Sequence, residues 1–386
     1  MTSNQSTSVT RRLAIGACLG LALAWPSFAQ VAPLKIGALL SMSGPAAVFG
    51  IPERDAITVA LEDLNSQGGV NGRPVQVIFY DDRTDAAEAG RGVNQLVSRD
   101  QVVAIIGAGT GGNVLAAGPI AMRLKVPLLA PVGTIAATDK KNAFLPWVFR
   151  VAPSDAVNIR TILTDAAKDG NKRIGVFYQE DAYGKTGVDV AEQLAQSLGI
   201  QVVGSAPAPY TATDLTAQAI KLREANAQAI FMQVSVASLG AGFVKAARQV
   251  GLNVPIYGSS GLAQKSFVDG VGAGAEGLRV LSIGNLVYDP SPGEKKLSDL
   301  LRAAGKVPQG WGELVGTNGL VAAIAAAKSI KGEITGQSMR DAMENLCGLE
   351  AYARGKGCWT KDDHDGWRED ALVFTEIANG RLRTRK

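Results

Sequence analysis

The chain has 386 residues, with 39 Lys and Arg against 35 Asp and Glu, a single His, three Cys and 46% hydrophobic residues. A balance this close to neutral offers no basic face for nucleic acid, whose binding depends on displacing counterions with Lys and Arg. One histidine rules out a multi-histidine metal site, and the length exceeds a single ordinary core, so two domains are expected.

Residues 1–29 differ from the rest. Arg11 and Arg12 precede an apolar run over 13–25, and Ser27 and Ala29 flank Phe28. This is the order of a secretory signal peptide, with cleavage expected after Ala29. The apolar run, broken by Gly16 and Gly20, is too short to cross about 30 Å of hydrocarbon. Cys18 follows the arginines too closely for a lipidation site. Without this segment 357 residues remain, with 37 bases against 35 acids. The expected location is periplasmic and the expected state a soluble monomer.

From residue 34 short apolar runs alternate with amphipathic stretches. Strands are predicted over 35–40, 75–80, 102–106 and 126–130, with helices over 52–65, 86–98 and 112–124 between them. The runs are rich in Val, Ile and Leu, as in strands of a parallel sheet covered on both faces. After Phe149 and Arg150 the rhythm restarts. Strands are predicted over 173–178, 201–204, 229–233 and 254–258, with helices over 185–198, 215–224 and 239–250. Two such series predict an α/β protein of two doubly wound, Rossmann-like lobes. Residues 292–346 read as mostly helical, and a last strand is predicted over 372–377. Cys347 and Cys358, eleven apart in a glycine-rich stretch, suit a local disulfide in an oxidising compartment; two buried thiols are the alternative.

Gly107, Gly109 and Gly112 fit a G-x-G-x-x-G fingerprint after a strand, the setting of an NAD-linked oxidoreductase. The acid that should follow about twenty residues on, at the end of the next strand, is absent from Pro131-Val132-Gly133-Thr134. The turn keeps its physical value, since glycine amides and a helix N-terminus hold a carboxylate as readily as a phosphate. Asp362-Asp363-His364-Asp365-Gly366 resembles a calcium loop but has Lys361 and Leu372 at two ligand positions, so a turn before the last strand is expected. No G-x-S-x-G elbow accompanies His364. Neither an enzyme centre nor a cofactor is expected.

The stretch Lys35–Pro45 (KIGALLSMSGP), then Phe49-Gly50, Leu64–Gly72 (LNSQGGVNG), Tyr80-Asp81-Asp82, Ile105-Ile106-Gly107, Pro131–Thr134 (PVGT), Phe149–Asp155 (FRVAPSD), Asp181–Gly184 (DAYG) and Ala246–Gly251 (AARQVG), in this order, resembles periplasmic branched-chain amino-acid-binding proteins. The resemblance implies a type I fold whose lobes are joined by a three-stranded hinge and clamp a small solute for an ABC-type permease. By position it implies residues 30–151 and 283–356 in the first lobe, with 152–282 and 357–386 in the second. It also implies a site made of Phe49, the turns Gly109-Thr110-Gly111 and Val132-Gly133-Thr134, then Tyr183, Ser235 and Ser260. Ser260 stands where an amino-acid binder carries an acid for the α-ammonium, and Gly111 where it carries a serine. These departures point to a carboxylate with an apolar or aromatic body, a branched-chain amino acid being the alternative, with Asp181 as a substitute acid. A sensory role handing occupancy to a membrane receptor would use the same cleft.

Overall fold

The computed structural model describes residues 32–385; the expected signal segment and its cleavage point lie outside them. The chain opens on β1 (Leu34–Leu40), followed by α1 (Ala47–Ser66), β2 (Val75–Asp81), α2 (Ala86–Asn94), β3 (Ile105–Gly107), α3 (Gly111–Arg123), β4 (Leu128–Ala130) and β5 (Val148–Pro153). It crosses to α4 (Asp155–Lys168), β6 (Arg173–Gln179), α5 (Ala182–Ser197), β7 (Gln201–Ala208), α6 (Thr216–Glu224), β8 (Ala229–Gln233), α7 (Ala237–Gln249), β9 (Ile256–Gly258), α8 (Lys265–Val271) and β10 (Arg279–Ser282). It returns through α9 (Pro292–Ala303), α10 (Trp311–Ser329), α11 (Gly336–Met343), the short strands β11 (Cys347–Leu349) and β12 (Gly357–Cys358), and β13 (Asp365–Trp367), and ends on β14 (Val373–Ala378) and β15 (Arg381–Thr384).

One sheet has the order β13-β5-β4-β3-β1-β2 and the other β15-β14-β10-β9-β8-β6-β7. In each, five strands run parallel in a 2-1-3-4-5 pattern, and the β1–β3 and β6–β8 neighbours form the switch points. Such a sheet leaves a crevice beyond the strand C-termini at each switch point, which is where a ligand fits. Apolar clusters cover both faces of each sheet, so every core strand is a hydrophobic run.

Two local expectations are corrected. Helix α1 begins at Ala47, a turn before the predicted start at Pro52, because Gly50 lets that turn press on the Ser41 backbone, where a Cβ would overlap it. The segment around Asp362–Gly366 is not a turn leading only to the last strand. It enters β13, a parallel edge strand beside β5. Thus Asp365–Trp367, assigned above with 357–386 to the second lobe, belongs to the first sheet, and the third crossover follows it. Gly366 has a packing reason, since the Trp359 indole occupies the space a side chain there would need.

Strands β11 and β12 form a hairpin in which Cys347 and Cys358 are bonded. Closing a loop this short removes unfolded-state entropy worth ~2–3 kcal/mol. The double variant Cys347→Ala/Cys358→Ala should therefore lose that much stability in urea titration. Dithiothreitol should reproduce the loss on the unaltered chain, and an unchanged midpoint would refute the entropic account.

Candidate functional site

A cavity of about 290 Å³ lies where the strand ends of the two sheets face each other. All ten residues named from the sequence are in its wall: Phe49, Gly109, Thr110, Gly111, Val132, Gly133, Thr134, Tyr183, Ser235 and Ser260. Phe49 comes from the extra turn of α1 and meets Trp311, the first residue of α10, edge to face at 5.7 Å. Trp311 also lines the cavity. Nothing in the local pattern around 311 signals this, since only the return of the chain to the first lobe brings it there.

The first turn is built by close approach. A Cβ at Gly107 or Gly109 would overlap the backbone of Leu39 or Ser41. Gly112 has open space around it, so the third glycine does not serve the tight helix–strand packing that a dinucleotide fingerprint requires. Asp82, buried, accepts Gly109 N (3.0 Å) and Ser41 Oγ (2.5 Å). Thr110 caps α3 by accepting from Asn113 N at 3.3 Å, while the amides of Gly111 and Gly112 have no carbonyl a turn earlier to donate to. This end of α3 carries partial positive charge. The missing serine at 111 has a steric reason: the Thr134 side chain fills the space that a Cβ at Gly111 would need.

The second turn is pinned from behind. Arg150, fully buried, donates through Nη1 to Val132 O (3.0 Å) and Thr134 O (2.9 Å). Gly133 O accepts from Asp155 N at 2.7 Å, and a Cβ at Gly133 would collide with the Asp155 carboxylate.

In the second lobe Asp181, the acid proposed from the sequence, is fully engaged. It caps α5 by accepting Gly184 N at 2.9 Å, and its other oxygen accepts Gln179 Nε2 (2.8 Å) and the Tyr210 hydroxyl. Ser235 donates N–H and hydroxyl to Gln179 Oε1 at 2.8 and 3.0 Å. Ser260 accepts from Asn158 Nδ2 at 3.4 Å. Of the two acids in the cavity wall, the one with an oxygen left over is Asp155, at the start of α4 after the Ser154 cap and hydrogen-bonded to Asn158. It is 1% exposed, is part of the cavity wall, and its Oδ2 has no hydrogen-bond partner. Burial pushes its carboxyl up to about 7, with the Arg150 charge opposing and the Asp181 charge adding. Burial, followed by the negative charge of Asp155, also holds the Tyr183 hydroxyl well above its usual range. Asp155 stands in the FRVAPSD stretch, yet nothing in that string distinguishes a buried acid from an exposed helix-start carboxylate.

The lobes also meet at the rim. The Gln309–Trp311 segment pairs with 263–265 of the second lobe through Lys265 N to Gln309 O (2.7 Å) and Trp311 N to Ala263 O (3.2 Å). Among the described residues no helix is long and apolar enough to span a membrane, and no cluster of His, Cys, Asp and Glu suits a metal.

Two doubly wound lobes facing each other across such a cavity define a solute-binding protein of the type I class. The chain belongs to the periplasmic binding protein family, whose model matches residues 33–381. It is 29% identical over 273 residues to the Leu/Ile/Val-binding protein homolog 8 of Brucella suis, spanning 68% of this chain and 67% of that protein. A branched-chain amino acid transporter substrate-binding protein of Streptococcus pneumoniae, solved with isoleucine, superposes with a TM-score of 0.78 at 22% identity, covering 91% of this chain and 98% of that one. A solute-binding protein of Rhodopseudomonas palustris, solved with 4-hydroxybenzoate, superposes with a TM-score of 0.81 at 19% identity, covering 92% and 96%. Proteins of the family bind small solutes for ABC permeases in the periplasm, and these relatives are binding proteins, not enzymes.

Proposed function

We propose that the exported chain, as a monomer, captures an α-amino acid with an apolar side chain in this cavity and delivers it to an ABC-type permease of the inner membrane. The observation that carries the reading is a pair of opposite poles. The amides of Gly111 and Gly112 at the start of α3, with the Thr110 and Thr134 turns, suit a carboxylate. Asp155, with an unpartnered oxygen, suits an ammonium. Phe49, Trp311, Tyr183 and Val132 give the side chain an apolar bed. The acid absent at Ser260 is thereby replaced from α4, which moves the expected ligand from a simple carboxylate towards an amino acid. Asp155 has a second use that keeps aromatic acids in the test: protonated near neutral pH, it would donate to a carboxylate.

The test is a thermal-shift panel of leucine, isoleucine, valine, 4-hydroxybenzoate, dicarboxylates and amides on the chain lacking residues 1–29. A ligand at 100 times its Kd adds about 2.7 kcal/mol of stability. Leucine-type amino acids are expected to stabilise. Stabilisation by aromatic acids alone would overturn the ammonium assignment, and no response from any class would overturn the solute reading.

A further inference from the structure

Arg150 carries no contact to the cavity, yet its guanidinium is spent almost entirely on one of the cavity's turns. Besides Val132 O and Thr134 O, it reaches Ile135 O (3.4 Å) and the Thr138 hydroxyl through Nη2. Its Nε donates to Asp365 Oδ1 at 2.8 Å, and Thr138 Oγ1 donates to the same oxygen at 2.7 Å. A guanidinium offers five donors in a rigid fork, so a single side chain fixes the turn's carbonyls in one arrangement. A peptide's C=O and N–H point opposite ways across its plane. Holding Val132 O and Thr134 O towards Arg150 therefore turns the Gly133 and Ile135 amides away from it. Gly133 O, held by Asp155 N, likewise sets the Thr134 amide.

We infer that Arg150 and Asp365 are positioning residues for the solute site. The pair sets the Val132–Thr134 turn in its donor-presenting form and ties it to the two strands, β5 and β13, that lead into the first and third crossovers. This rests on the reading that the cavity holds the solute. Asp365 fits the role: it is part-exposed, and its Oδ1 accepts both from Arg150 and from the Thr138 hydroxyl that follows the turn. The string that resembled a calcium loop is in this account the anchor of a ligand turn.

The experiment compares the chain lacking residues 1–29 with Asp365→Asn, Asp365→Glu, Thr138→Val and a control, Arg354→Gln. The control breaks another half-buried ion pair of the first lobe, Arg354–Glu294 at 3.1 Å, which does not touch the turn. Without ligand, hydrogen–deuterium exchange of peptides covering 131–138 is expected to quicken about tenfold in Asp365→Asn, less in Thr138→Val, and not in the control. With L-leucine as probe, calorimetry should read an affinity about tenfold weaker in Asp365→Asn, recovered to within about threefold in Asp365→Glu, and unchanged in the control. Exchange at 131–138 that is unchanged, or that quickens equally in the control, overturns the inference. A parent chain that ignores leucine overturns the amino-acid reading instead, and the exchange arm still decides this one.

Discussion

Asp155→Asn should weaken leucine capture by roughly a hundredfold to several thousandfold. An ammonium enclosed in a cavity needs an opposite charge, and removing one partner of a buried pair costs about 3–5 kcal/mol. The same group imposes a pH dependence whose sign identifies the ligand. Asp155 rises from an ordinary 3.8 to about 7 in the folded protein. Between those values the folded chain holds a proton that the unfolded chain has released, so this group's contribution to stability is greatest at low pH and declines as pH rises through about 7. An ammonium ligand binds the ionised form. Affinity for leucine should therefore rise about tenfold from pH 6 to pH 8, with proton release on binding at the lower pH. A carboxylate without an amine would prefer the protonated form and show the opposite slope. Calorimetry in buffers of differing ionisation enthalpy measures both, and Asp155→Asn should flatten the profile. A leucine profile that falls as pH rises would sink the assignment.

Trp359→Ala should have the largest effect on stability, about 3–5 kcal/mol, read as a lowered urea midpoint. Trp359 is fully buried, meets Trp367 edge to face at 5.2 Å and donates Nε1 to Arg150 O at 2.8 Å. Gly357 and Gly366 lack side chains where its ring lies, so the cavity left behind is walled by backbone that cannot readily collapse. A loss below about 1 kcal/mol would mean that the site refills.

Much of the fold is legible along the chain because its signals are local. Apolar runs of strand length, helix caps such as Thr110 and Asp181, and glycines at strand ends set the order of elements without reference to distant residues. The ten wall residues follow from the resemblance to branched-chain amino-acid-binding proteins, position by position, and most of them lie just beyond strand C-termini, where an open α/β sheet leaves its crevice. Asp155, Trp311 and Tyr210 were not found. Asp155 lies in a stretch for which the sequence predicts no helix, and Trp311 within 292–346, which reads only as mostly helical.

Asp181 and Asp155 mark the boundary between the two kinds of information most clearly. Both are aspartates at helix N-termini after a strand. Only packing separates them. Asp181 is satisfied by Tyr210 and Gln179, from residues 29 and 2 positions away, whereas Asp155 is enclosed with an oxygen left over. The pairing of Arg150 with Asp365, 215 positions apart, likewise depends on β13 docking beside β5. Local periodicity and turn chemistry suffice for most elements of the two β-α series and hence for two lobes, but not for α4, α8, β10 or β13. Which acid keeps an oxygen left over, which loop braces a ligand turn, and which strand edges each sheet depend on contacts between distant segments, whose energies no short stretch of sequence contains.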